Sequence, residues 1–169
     1  THLRREPFVI QHDGKIEFLW TSPREVSLAT LTLEEPDTGR RRLRLNGQTL
    51  FVGRFEMEHN DLCWSLDGTH AGARIVTIDE DGERFEVIVT DGEHHVVTDG
   101  TVCDFLLDYN GRLLAYILDN GETMRPYIRG IEHDEIPFVW NLRQDGKTVV
   151  YNSIVGGRVI RVAHDLTER

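Results

Sequence analysis

The chain is short of cysteine: its 169 residues hold two, Cys63 and Cys103. That is too few for a disulfide framework, and the pair makes no CxxC unit of the kind that holds structural zinc. A reducing compartment is therefore expected, with a cytoplasmic location. The chain starts at Thr1, so export after removal of a leader stays open. Long apolar runs are missing as well. No stretch approaches the roughly 18 residues of a membrane-spanning helix, so no membrane span is expected. Positive charge is scarce, with 19 Lys and Arg against 29 Asp and Glu and a formal net charge of −10. A nucleic-acid face needs clustered cations for the phosphates. The one basic run, Arg40-Arg41-Arg42 with Arg44 close by, reads as the outer side of a strand, so nucleic acid is not an expected partner.

Catalytic signatures are lacking too. There is no G-x-S-x-G elbow and no HExxH, and Val155-Gly156-Gly157 is not followed by the Lys-Ser/Thr and helix of a phosphate loop. No long apolar stripe recurs at the 3.6-residue helical period.

What the chain does have is short apolar runs cut by glycine turns. One set of runs, PFVIQ (7–11), LCWSL (62–66), VCDFLL (102–107) and IPFVWNL (136–142), precedes Asp13-Gly14, Asp67-Gly68, Asn110-Gly111 and Asp145-Gly146. Second runs follow: KIEFLWT (15–21), ARIVTI (73–78), RLLAYIL (112–118) and KTVVYNS (147–153). Ser22-Pro23, Asp81-Gly82, Asn120-Gly121 and Gly156-Gly157 then lead to third runs: VSLATLTL (26–33), RFEVIVT (84–90), TMRPYIR (123–129) and RVIRVAH (158–164). Near-alternation of bulky residues between such turns predicts half-buried strands. Asn-Gly and Asp-Gly suit two-residue hairpins with positive φ at both central positions. Fourth runs close the first two units at RRRLRLN and HHVVT, and GIEHDE (130–135) is expected to be a loop. The expected fold is all-β: one domain over residues 1–169, made of antiparallel meander units at about 7–55, 56–100, 101–135 and 136–169.

The order of apolar run, Asp-Gly turn, second run and second Gly turn resembles the blades of TolB-type and WD40-type β-propellers. CWSLDG (63–68) and VWNLRQDGKTVVYNS (139–153) carry it best, although the Gly-His and Trp-Asp dipeptides of WD40 repeats are absent. The first-class turns lie 54, 43 and 35 residues apart, around the length of a four-stranded blade. The resemblance implies a small or partial propeller. A β-sandwich is the alternative.

Histidine and aspartate recur where strands are expected to end. His12, Asp13, His59, His133, Asp134 and His164 are the candidate metal ligands, because imidazole and carboxylate suit zinc or iron. The competing reading is turn chemistry: Asp before Gly builds a turn, and His tolerates a solvated boundary. The acidic clusters at 79–83 and 119–122 lack the spaced register of a calcium loop and read as hairpin tips. Cys63 and Cys103 are expected to be buried as small apolar residues. Trp20, Trp64, Trp140, Tyr116, Tyr151 and Phe138 are expected to pack between sheets. The functional expectation is a non-catalytic interaction or scaffold module, an accessory subunit meeting protein partners or its own copies. The alternative is a metal-dependent enzyme or small-ligand binder using the strand-end His and Asp.

Overall fold

The computed structural model describes residues 7–12, 15–35, 37–58 and 61–167. Among the described residues there are sixteen β-strands and no helix. Every pairing with a defined register is antiparallel, and no sheet closes into a barrel. By compactness the chain divides into two units. One comprises the chain up to Thr98 with Leu107–Arg112, the other Asp99–Leu106 with the chain from Leu113 onward.

The N-terminal unit is a nine-stranded sheet. Its strands are β1 (Phe8–His12), β2 (Lys15–Thr21), β3 (Leu28–Glu35), β4 (Arg40–Leu45), β5 (Gln48–Glu56), β6 (Leu62–Trp64), β7 (Ala71–Ile78), β8 (Arg84–Val89) and β9 (His94–Val97). They lie in the order β1-β2-β3-β4-β5-β7-β8-β9, with β6 also on β7. β5 was not expected as a strand of its own, and it joins the first two units. It pairs with β4 from Gln48 to Arg54, then with β7 through Phe55↔Thr77 and Glu56↔Val76. Trp20, Leu31, Leu43, Phe55, Ile75 and Val87 sit in the apolar core of this sheet. Phe51 meets Phe55 edge-to-face at 5.3 Å.

The second unit holds two smaller sheets. One runs β10 (Thr101–Leu107), β11 (Leu113–Asp119), β12 (Met124–Ile128) and β13 (Ile131–Glu132); the other runs β14 (Val139–Asp145), β15 (Thr148–Val155) and β16 (Arg158–Asp165). Leu114, Ala115 and Ile117 of β11 share an apolar core with Val139, Leu142, Val149 and Tyr151. β11 is buried from Leu114 to Leu118, and a strand buried on both faces reads as a continuous apolar run, which is why LLAYIL does not alternate. The expected loop at 130–135 begins with β13, a two-residue strand paired to β12.

The turns depart from expectation. Asp67, Asp81, Asn110, Asn120 and Asp145 all lack positive φ, and the glycine after each is left-handed by itself. The Asp79 and Asp108 loops share one mechanism: Gly82 and Gly111 donate their N–H to the carbonyls of Asp79 and Asp108, at 3.2 and 3.1 Å. The Asp79 and Asp108 carboxylates accept the N–H groups of Glu83 and Arg112, at 2.8 and 2.9 Å. An acidic side chain thus closes a three-residue loop in which only glycine must be left-handed. The primed two-residue turn occurs instead at Asn46-Gly47, Arg129-Gly130 and Gly156-Gly157, where both residues have positive φ. The Asp13-Gly14 turn lies outside the described residues.

Two burial expectations also fail. Cys103 is exposed and Cys63 half-buried, because each lies on the outer phase of its strand. Trp20, Tyr116 and Tyr151 are core residues, but Phe138 is 48% exposed.

Candidate functional site

The second unit brings three of the six candidate ligands to one end of its sheets. His164 lies near the end of β16, and His133 follows β13, held by its N–H donating to the Pro126 carbonyl at 2.9 Å. Their ring centroids are 4.3 Å apart, at 56°. The Tyr151 hydroxyl shares a hydrogen bond of 3.3 Å with His164 Nε2. Tyr151, in the core, is paired with Val162 of β16, two residues before His164, and its ring lies 5.6 Å from the His164 ring.

The surroundings favour the neutral forms of His164 and Tyr151. Burial, and then the neighbouring His133, hold the His164 imidazole below its ordinary pKa. Burial pushes the Tyr151 phenol up, and the negative charge of exposed Asp134 adds to it. The arrangement offers two imidazoles and a carboxylate. Among the described residues, however, no three His, Cys, Asp or Glu side chains gather closely enough to hold a metal ion. His12 ends β1 in the other unit, and Asp13 and His59 lie outside the described residues.

Beside the histidines runs a charged strip. Arg125 binds Glu132 at 3.0 Å and also binds Glu135. Tyr127 donates to Glu132 at 3.2 Å and stacks flat on Tyr116 with centroids 4.6 Å apart. Burial, the Tyr127 phenol and the Glu132 charge push Tyr116 up to about 12.

Sequence reasoning missed the polar groups of the N-terminal unit. Asp61, buried, accepts from Arg74 Nε at 2.8 Å and from the Glu58 N–H at 2.8 Å. Arg74 reaches Glu86 at 3.5 Å on its other side. Asp61 thus anchors an ion triad with Arg74 and Glu86. The only available signal was an Arg in the middle of the apolar run ARIVTI. Asp67 is held down at about 2, first by the Ser65 hydroxyl and then by Thr69, so CWSLDG is a turn locked by its own side chains.

The remaining candidate surfaces are strand edges. β1 and β9 end the large sheet, and β14 and β16 flank the three-stranded one. β1 exposes three consecutive apolar side chains: Phe8 at 69%, Val9 at 61% and Ile10 at 44%. Around the Gly156-Gly157 turn, Ile154, Val155, Val159 and Ile160 are all exposed. Comparison with protein-family models, with curated proteins and with solved structures finds no match for this chain.

Proposed function

We propose that this chain is a non-catalytic interaction module, an accessory subunit whose meanders follow the pattern of a small or partial β-propeller. The observation that carries this reading is the apolar exposure on the outer strand β1 and at the tip of the β15–β16 hairpin. A sheet edge presents unpaired backbone donors and acceptors, and sheets normally guard it with charge, proline or a bulge. β1 instead exposes Phe8, Val9 and Ile10 together, and the β15–β16 hairpin exposes four aliphatic side chains. Such a surface suits a partner that adds a strand or covers the hairpin. The test is native mass spectrometry of protein isolated from its own source, with metal analysis on the same sample. Subunits that co-purify at fixed stoichiometry are the expected result. A partnerless chain carrying near-stoichiometric zinc or iron would overturn it.

That second outcome belongs to the alternative reading, a metal or small-ligand site. The proximity of His133 and His164, with Asp134 next in sequence, favours it. There, His133→Ala and His164→Ala would each remove the bound metal.

A further inference from the structure

β16 is eight residues long, and each pairs with β15 in unbroken register from Val155↔Arg158 to Thr148↔Asp165. Its other edge has no strand partner among the described residues. No proline, glycine or bulge interrupts it. The guards it does carry are Arg158, Arg161 and Asp165, which are of both signs. Charges of one sign repel a second copy of the same strand in any register. Charges of both signs repel or attract according to register.

We propose that the β16 edge pairs antiparallel with β16 of a second copy of this chain, about a two-fold axis at Ala163. This rests on the interaction-module reading and names one partner for it. A two-fold axis normal to a continuous sheet sets each residue opposite one on the same face, so some residue must face its own copy. Three registers centre on the middle of the strand. With Arg161 on the axis, two guanidiniums meet and Arg158 faces His164. With Val162 on the axis, Asp165 faces Val159 and no charges match. With Ala163 on the axis, Arg161 faces Asp165 twice, Val162 faces His164 and Ile160 faces Leu166. Only this last register places opposite charges across the join. Its central residue is also the small one, which lets the backbones close up.

Arg161 already meets Asp145 at 3.0 Å, but both side chains are more than half exposed. An exposed pair of that kind holds its partners weakly, and the guanidinium has donors left for a second carboxylate. The dimer would join two three-stranded sheets into one of six strands.

The experiment is sedimentation and mild oxidation of the full chain carrying Cys63→Ser and Cys103→Ser. Directly opposed residues in an antiparallel pair have Cα atoms about 4.5–5.5 Å apart, which a disulfide can bridge. Adding Ala163→Cys should therefore give an interchain disulfide. Adding Val159→Cys should not, since residue 159 faces Thr167. Without oxidation the parent should sediment as a dimer. Arg161→Asp should weaken that dimer at least about ten-fold through like charge, and Arg161→Asp with Asp165→Arg should restore it. Residues 161, 163 and 165 are exposed, so thermal melts should match the parent. A parent that stays monomeric at the highest attainable concentration overturns the proposal. So does a dimer indifferent to these substitutions. A monomer that still co-purifies with another protein overturns this pairing alone and leaves the interaction-module reading standing.

Discussion

The N-terminal unit joins its strands through one hydrogen-bonded sheet, whereas the second unit joins two sheets through side chains. In the first, β5 passes from β4 to β7 and carries the ladder across what the turn pattern divides into two units. In the second, β11 and β15 belong to different sheets and meet in a shared apolar core. Polar groups follow the same division. The N-terminal unit buries a charged anchor, Asp61, against Arg74 inside the sheet. The second unit keeps its charges at the rim, on Arg125, Glu132 and Glu135, with neutral Tyr116 and Tyr151 inside. Arg74 stands on β7, and the bend at Asp61 is tied to it by the Arg74 N–H donating to the Asp61 carbonyl at 2.9 Å, so a backbone bond holds the buried pair together. A side-chain interface is better served by apolar filling.

The contrast can be broken most strongly at β5. Phe55→Ala removes a buried aromatic at the point where β5 changes partner, and should cost about 4 kcal/mol. Hydrogen exchange should then speed up in both β1–β4 and β6–β9. If only β6–β9 responds, β5 is not the link. Arg74→Ala comes next. It takes the guanidinium from the buried Asp61 carboxylate, which keeps the Glu58 N–H as a donor, at a cost of about 3 kcal/mol. Arg74→Met, which fills the same space, should lose as much if charge rather than volume matters. Denaturant melts compare the two.

Smaller effects sharpen the second unit. The Tyr116 phenol is raised to about 12 in the folded chain, against about 10 when unfolded. Its contribution is therefore whole below pH 10 and is lost as pH rises through 12, on the order of 1–2 kcal/mol. Tyr116→Phe should flatten that alkaline arm relative to the parent in melts from pH 9 to 12. The smallest effect is His164. Its folded pKa is lowered, so the unfolded chain takes up the proton first. Stability is whole above about pH 6.5 and declines as pH falls below it. His164→Gln should remove part of that acid slope, and an unchanged slope would mean that His164 is not held below its ordinary pKa in the folded chain.

The quoted runs located nearly every strand, since strand signals are local: period-two burial between glycines needs only neighbouring residues. Two strands escaped: β5, where Gly53 and Arg54 interrupt the apolar pattern and the pairing partner changes midway, and the two-residue β13, too short to carry a pattern. Among the described residues the named Asp-Gly and Asn-Gly turns lie between strands as expected but with their conformation misread, and the primed turns at Asn46-Gly47 and Arg129-Gly130 were not foreseen. Asp-Gly is compatible with a primed hairpin, but the side chain of a residue three positions before the glycine selects the longer loop. In the candidate site, strand-end His and Asp were visible as residue types. That His133 meets His164, and that Tyr151 joins them, was not visible. These residues are up to 31 positions apart in the sequence; the β15–β16 register brings Tyr151 near His164, and His133 comes from the segment after β13 in a different sheet.

By itself, then, the sequence determined an all-β chain, the approximate places of most of its strands and its want of any local catalytic motif. Each of these depends on neighbours within a few residues. The tertiary structure decided what depends on distant partners. It joined the first two meanders through β5, neutralised Asp61 with Arg74, put Cys103 and Phe138 outside, and left the β16 edge open. Pairing and packing act between residues far apart in the chain, and hydrophobic pattern alone does not say which strand a strand will meet.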